Sequence, residues 1–397
     1  MAPDQKKALT VVATATLLAM TTWFSATAVA ADLVEAWQMQ SHQVSWLTVA
    51  VQIGFVIGAL VAAGTGISDR VPPRKLFFVG ACLAAVANLG LVFSPGLEVG
   101  IALRAITGAA LALVYPMGVK LVSTWFRFGR GLALGVMIAA LTLGSALPHL
   151  LTAVGGANWV TVIVASTVLT LLGALLARFG VTDGPFPFPV TNFSTRAALR
   201  AVRDRGTVLA SVGYFGHMWE LYAMWASLAL FFGHVFADGD GGAASLATFV
   251  AISVGAIGCV GAGRVSDRFG RTTSASLAMA VSGMCCLTIG LTVDLPVWIP
   301  LSIACLWGVS VIADSAQFSA AITEITDQSF VGTALTLQLA GGFALSAATI
   351  GLVPVWVEVL TWRFAFAPLA LGPVIGIAAM LCLRRLPEAV RMADGLR

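Results

Sequence analysis

The stretch Gly263-Arg264-Val265-Ser266-Asp267-Arg268-Phe269-Gly270-Arg271 has a counterpart half a chain earlier, Ser68-Asp69-Arg70, within the run Gly64 to Lys75. Each copy is a short charged turn between two long apolar segments. A membrane-spanning helix needs about 20 apolar residues. Read outward from the two turns at that length, the chain has twelve apolar segments, at 8–31, 43–67, 76–94, 97–119, 132–154, 158–180, 207–236, 244–263, 274–293, 296–319, 332–357 and 361–383. They are rich in Ala, Val, Leu and Gly and do not alternate at period two, so helices are expected and not the strands of a barrel.

Composition agrees. Of 397 residues, 10% are charged and 59% hydrophobic, and the mean hydropathy is +0.95. A soluble domain carries about 25% charged residues, so an ordinary soluble enzyme is excluded. Disorder, which needs low hydrophobicity and high charge, is excluded too. The 41 glycines suit closely packed membrane helices. Lys6 and Lys7, an apolar stretch and Ala28-Val29-Ala30 have the outline of a signal peptide. The stretch is long for a signal sequence and right for a span, so an uncleaved first helix is expected. The six cysteines, Cys82, Cys259, Cys285, Cys286, Cys305 and Cys382, lie in apolar stretches without metal-ligand spacing and read as packing residues.

The basic residues orient the chain. With the N-terminus in the cytoplasm, every Lys and Arg except Arg104 and Arg363 falls at the cytoplasmic ends of the twelve segments. The net charge of +4 therefore reflects topology and does not point to a nucleic acid. Both termini are expected in the cytoplasm of a multi-pass protein of a bacterial cytoplasmic membrane. The organisation expected is a six-helix bundle at 1–180, a cytoplasmic linker at 181–206 and a second six-helix bundle at 207–397. The linker holds Pro185, Pro187 and Pro189, then Ser194 or Thr195 as an N-cap, then Arg196, Arg200 and Arg203 at helical spacing with Leu199 and Val202 on another face. It reads either as a surface helix on anionic headgroups or as a solvated linker.

Twelve spans in two sixes, a basic central loop and an Asp-Arg turn after the second and eighth spans resemble the major facilitator superfamily. Residues 263–271 are similar to that family's G-x-L-x-D-R-x-G-R loop. The first copy departs from it, with Pro72 and Pro73 at the Gly and Arg positions and Arg74-Lys75 supplying charge later. The resemblance implies an all-α fold of two pseudo-symmetric six-helix bundles and transport by alternating access. Asp69, Arg70, Arg74, Asp267, Arg268 and Arg271 are then expected as a cytoplasmic gate, the alternative being that they only set topology.

Few polar groups lie inside the spans, where a charge at the helix centre costs at least about 2.5–3.5 kcal/mol and normally faces a cavity or a partner. Arg104, similar to the fourth-helix Arg of many family members, reads as an anion-binding or proton-sensing group, or as a structural pair. Glu220 lies in Tyr214-Phe215-Gly216-His217-Met218-Trp219-Glu220-Leu221-Tyr222, with His217 on the same face at i−3. A carboxylate out of water and an imidazole that titrates near neutrality can carry a proton. Tyr214 and Trp219 would line a substrate pocket. A buried His–Glu tie between helices is the alternative. Asp314, in the tenth segment, is as fitting a structural tie as a transport residue. His149 follows Pro148, where a kink is expected, and reads as a satisfied polar residue more readily than as a carrier. Gln52, Asn88, Tyr115, Gln317 and Gln338 read as ties between helices. No P-loop, H-E-x-x-H or G-x-S-x-G occurs, and the four histidines are dispersed. No cofactor, metal or catalytic residue is therefore expected. The expected partners are a small-molecule or ion substrate, protons and the lipid bilayer, with the protein a monomer. The sequence favours a proton-coupled carrier of a small organic or inorganic anion. The alternative is proton-driven efflux of an amphipathic drug or metabolite.

Overall fold

The structure is a computed structural model that describes residues 2–126, 130–154, 158–186, 203–236, 241–327 and 331–396. The side chains of Ser41, Arg130, Arg264, Asp267 and Asp394 are outside that description. So is the expected surface helix with Arg196, Leu199, Arg200 and Val202.

The described residues form helices and short 3-10 turns, with no strand among them. In chain order the α-helices are α1 (Pro3–Ala19), α2 (Ser25–Ala28), α3 (Ala30–Ala36), α4 (Val44–Thr65), α5 (Ile67–Arg70), α6 (Pro73–Gly90), α7 (Leu97–Leu111), α8 (Tyr115–Ser123), α9 (Arg130–Val154), α10 (Trp159–Phe179), α11 (Arg205–Val235), α12 (Gly241–Ser253), α13 (Gly255–Phe269), α14 (Arg271–Thr288), α15 (Trp298–Ala313), α16 (Ser315–Ile325), α17 (Val331–Phe364, kinked at Thr361) and α18 (Leu371–Arg384). Among the described residues, ten helical stretches are long and apolar enough to cross a membrane. Two of the twelve expected spans fall outside that group. In the first, α1 is only 17 residues long before the chain breaks. In the seventh, α11 is long enough, but His217, Trp219, Glu220 and Tyr222 lower its hydropathy.

Many large apolar side chains, among them Val61, Val86, Phe179, Ile257, Leu277 and Val374, are exposed. On a soluble protein such a surface would drive association; around a helix bundle in lipid it is the expected outer face. The chain packs as two units, Met1–Pro189 with Ala226–Ser253, and Val190–Trp225 with Val254–Arg397. In the first, α4 packs on α7, α6 on α7 and α10, and α1 on α9 and α10. Gly54 and Gly58 of α4 let the α7 backbone come so close that a Cβ on either would collide with the main chain of Ala105 or Ala109. This seats α7 and the neighbouring Arg104 deep in the unit. In the second unit, α14 packs on α15 and α18, and α13 on α15.

The two turns read from the sequence are built differently. In the second, Gly270 takes a left-handed φ of 89° between α13 and α14. In the first, Pro72 occupies the corresponding place and leads into α6, which starts at Pro73. The left-handed residue there is Gly66, at φ 65°. A proline fixes φ near −65° and cannot make that turn, so the reversal moves to the nearest glycine upstream.

Candidate functional site

The first span is broken in its middle. After α1 a 3-10 turn covers Met20–Thr22, and the chain is not α-helical again until Ser25. Hydroxyls take over helix acceptors here: Thr21 donates to the Leu18 carbonyl at 2.8 Å and Ser25 to the Thr22 carbonyl at 3.2 Å. Short hydroxyl side chains compete with helical hydrogen bonds in this way. A broken helix leaves carbonyls without their usual N–H donors. The Arg104 guanidinium supplies donors to two of them. Nη1 donates to the Thr22 carbonyl at 2.7 Å and Nη2 to the Trp23 carbonyl. Longer contacts reach Ser25 Oγ at 3.4 Å and Asn88 Oδ1 at 3.5 Å. Asn88 accepts from Ser25 Oγ at 2.6 Å and donates to the Ile163 carbonyl and Thr167 Oγ1, both at 3.1 Å. Arg104, Asn88 and Ser25 are all fully buried. Only Nε of the guanidinium lacks a partner among the described residues.

In the second unit α11 runs unbroken past Glu220, which is 1% exposed. Its Oε1 accepts from Trp307 Nε1 at 2.5 Å and from Cys286 Sγ at 3.1 Å, and its Oε2 accepts from Ser282 Oγ at 2.9 Å. Three neutral donors from α14 and α15 thus hold the carboxyl. No basic side chain pairs with it among the described residues.

His217 does not join Glu220. Its Nδ1 lies 2.8 Å from Oδ1 of Asp314, with both side chains buried. Asp314 is the joint between α15 and α16, and a carboxylate there meets the imidazole one turn before Glu220 on α11. The expected His–Glu pair is therefore replaced by His–Asp, and Glu220 bonds separately. Tyr214 and Phe318 close around the imidazole, with ring centroids 5.9 Å and 5.7 Å away. Trp219 stands apart: its Nε1 donates to the Pro368 carbonyl at 3.1 Å, and its ring lies against Trp356. His149 is fully buried in α9 beside Pro148, which that helix accommodates within its length. Neither of its ring nitrogens has a hydrogen-bond partner among the described residues, and the same is true of both amide atoms of Gln52.

At the end of the units that carries the basic turns, Asp69 Oδ1 accepts from Lys120 Nζ at 2.6 Å, and the same ammonium reaches the Ser68 carbonyl at 2.6 Å. Arg74 lies 3.4 Å from Asp183, both partly exposed. Arg271 donates to Glu324 at 3.0 Å and to Ser266 Oγ at 2.6 Å. Arg70 is exposed, and Arg268 stacks on its neighbour Phe269 at 5.5 Å. The acid of the first tie is in the turn and its base on α8; in the second the base opens α14 and the acid is on α16.

Several of these side chains were missed by sequence reasoning, Ser25, Asp183 and Phe318 among them, and four bear most on the clusters. Trp307 and Ser282 lie in apolar spans without a local signal, Cys286 read as packing, and Lys120 counted only toward topology. One signal was available. In the register that aligns Asp69 with Asp267, Asn88 aligns with Cys286, so both clusters take a member from the third span of their half.

An all-helical, multi-pass membrane protein, with its few buried charges gathered in polar clusters, is the class that this architecture defines. The chain belongs to the Major Facilitator Superfamily of transporters, whose model matches residues 12–334. It is 28% identical over 142 residues to an uncharacterised MFS-type transporter of Mycobacterium tuberculosis, covering 34% of this chain and 24% of that one. It is 29% identical over 144 residues to the multidrug efflux pump LfrA of Mycolicibacterium smegmatis, covering 34% and 28%. A 38 kDa protein encoded in the 23S RNA operon of Thermoproteus tenax is 26% identical over 241 residues, covering 58% and 59%. The match spans less than two thirds of each relative. Among solved structures, a bacterial homologue of the human lysosomal transporter Spinster, inward-facing and unoccupied, superposes with a TM-score of 0.64 over 96% of both chains at 14% identity. That likeness concerns the fold alone.

Proposed function

We propose that this chain is a proton-coupled secondary transporter that exports an amphipathic, aromatic-bearing solute by alternating access. Glu220 carries the reading. It is a carboxyl buried in the middle of a span, held by three neutral donors and by no cation among the described residues. A carboxyl so placed has donors for its ionised form and no cation to pin it there, so it can take up and release a proton, which is what coupling demands. The repeat supports 1–180 and 207–397 as the moving halves, joined by 181–206. The charge pattern supports both termini on the inner side of a bacterial cytoplasmic membrane. The Asp69–Lys120 and Arg271–Glu324 ties support a gate at that face.

Uptake of an anion rests on Arg104, but the guanidinium already serves two main-chain carbonyls and Asn88. Aromatic side chains on α11, Tyr214, Tyr222 and Trp225, favour an apolar solute with a polar tip, and one relative is a multidrug efflux pump. The test is proteoliposomes under an imposed pH gradient, with ethidium and inorganic phosphate as probes. Gradient-driven accumulation of ethidium that disappears in Glu220→Gln is expected. Accumulation of phosphate, or of neither probe, contradicts the export reading.

A further inference from the structure

Glu220 has two oxygens in unlike surroundings, and the donors around it are of unlike chemistry. Oε1 faces the Trp307 indole and the Cys286 thiol, at 2.5 Å and 3.1 Å. An indole N–H only donates, and a thiol is a weak acceptor. Oε2 faces Ser282 Oγ at 2.9 Å, and the same hydroxyl lies 3.2 Å from the Met279 carbonyl. A hydroxyl can donate or accept. A proton on Oε1 would set an O–H against the indole N–H. A proton on Oε2 meets a hydroxyl that can turn its own hydrogen to Met279 and accept.

We propose that Trp307 and Cys286 are positioning residues that hold Oε1 as an acceptor, so that the proton is taken up on Oε2 at Ser282. The inference rests on the reading of Glu220 as the coupling carboxyl. The indole is fixed in place by an edge contact with Phe366, centroids 5.3 Å apart at 82°. The proton binds the Oε2 lone pair, Ser282 Oγ accepts a hydrogen bond from it, and the Ser282 hydroxyl, its own O–H intact, turns to donate to the Met279 carbonyl. No covalent bond other than O–H forms or breaks. The indole bond survives protonation but loses its charge assistance, worth about a factor of two in strength. The grip of α15 on α11 therefore loosens without being released. The titratable groups around Glu220 are Cys285 and Cys286 on α14, Asp314 at the end of α15, and His217 on α11, which is turned to Asp314. The turn Ala367–Ala370, which packs on α14, carries none.

The test needs no transported solute. Infrared difference spectra of the purified protein are recorded across a pH titration, and the carboxyl band of Glu220 is identified by its loss in Glu220→Gln. Trp307→Phe keeps the aromatic bulk and removes the donor. Its midpoint is expected to rise by about one pH unit, a tenfold change in proton affinity, with the carboxyl band moved to higher frequency. Ser282→Ala loses a donor to the anion and an acceptor for the acid together, so its midpoint stays within about 0.3 unit of wild type. Cys286→Ala raises the midpoint, and Cys286→Ser restores it. A Trp307→Phe midpoint equal to wild type, with the band still lost in Glu220→Gln, overturns the positioning role alone. A band that persists in Glu220→Gln overturns the reading of Glu220 itself. If Trp307→Phe does not fold, the two Cys286 variants decide: equal midpoints overturn the proposal.

Discussion

The cluster around Arg104 and the cluster around Glu220 occupy matching parts of the two halves. Both join the first, third and fourth spans of their half, and in the register of the repeated turn Glu220 falls on Thr22 and Cys286 on Asn88. They meet opposite needs. In the first half the main chain itself is broken, and the guanidinium donates to two carbonyls at the break, one of which, Thr22, also accepts from Ser25 Oγ. Those acceptors do not change with pH. In the second half the helix is whole, and the polar group is a side chain whose acceptor count depends on one proton. The contrast teaches that matching parts of one scaffold can hold a fixed guanidinium strut in one half and a titratable carboxyl in the other. The charge that looked most suited to bind substrate is the one engaged in holding backbone.

The largest effect that sharpens this contrast is expected in Arg104→Leu. The Thr22 carbonyl keeps only the Ser25 hydroxyl and the Trp23 carbonyl loses its guanidinium donor, at about 1–3 kcal/mol for each bond lost, so the variant should lose about 3 kcal/mol of stability or fail to accumulate. Thermal unfolding in one detergent reads this directly, and Arg104→Lys should recover part of it, since an ammonium lacks the planar fork. Wild-type stability in Arg104→Leu breaks the strut assignment. Asp314→Ala comes next. It strips the buried imidazole of its acid, and about 2 kcal/mol should be lost on the same scale. Glu220→Gln should be nearly silent in stability, within about 1 kcal/mol, because the amide oxygen still accepts from Trp307 and the amide N–H can donate to Ser282. A loss as large as that of Arg104→Leu would erase the difference between the clusters. Lys120→Met should have the smallest effect, below about 1 kcal/mol. That effect should shrink further in 1 M salt, where charges are screened within about 3 Å; a loss independent of salt contradicts a partly exposed tie.

Much of the fold was legible because bilayer crossing is written in length and hydropathy, and the halves in the repeat of Ser68-Asp69-Arg70 at Ser266-Asp267-Arg268. The span hardest to see by hydropathy is α11, and two of the residues that lower its hydropathy, His217 and Glu220, are at the centres of the two polar clusters of the second unit. Arg104, Glu220, His217 and Asp314 could be picked out because charges and imidazoles are rare in spans. Their partners could not. Helical spacing puts His217 and Glu220 on one face, but which acid meets the imidazole depends on where α15 ends, and that joint at Asp314 is a tertiary feature. An indole in an apolar span reads as packing, so Trp307 gave no signal, and the acceptors of Arg104 are main-chain atoms with no sequence signature at all. The shift of the left-handed turn from the place of Pro72 to Gly66 was readable only as a departure from the motif, not as its solution.

Whether Glu220 couples transport to the proton is decided by comparing two modes of movement in one preparation. Wild type and Glu220→Gln are reconstituted in parallel, and ethidium is followed both in counterflow without a pH gradient and in accumulation driven by one. Glu220→Gln is expected to keep counterflow and to lose gradient-driven accumulation at least tenfold. Equal gradient-driven accumulation by the two proteins would contradict that coupling.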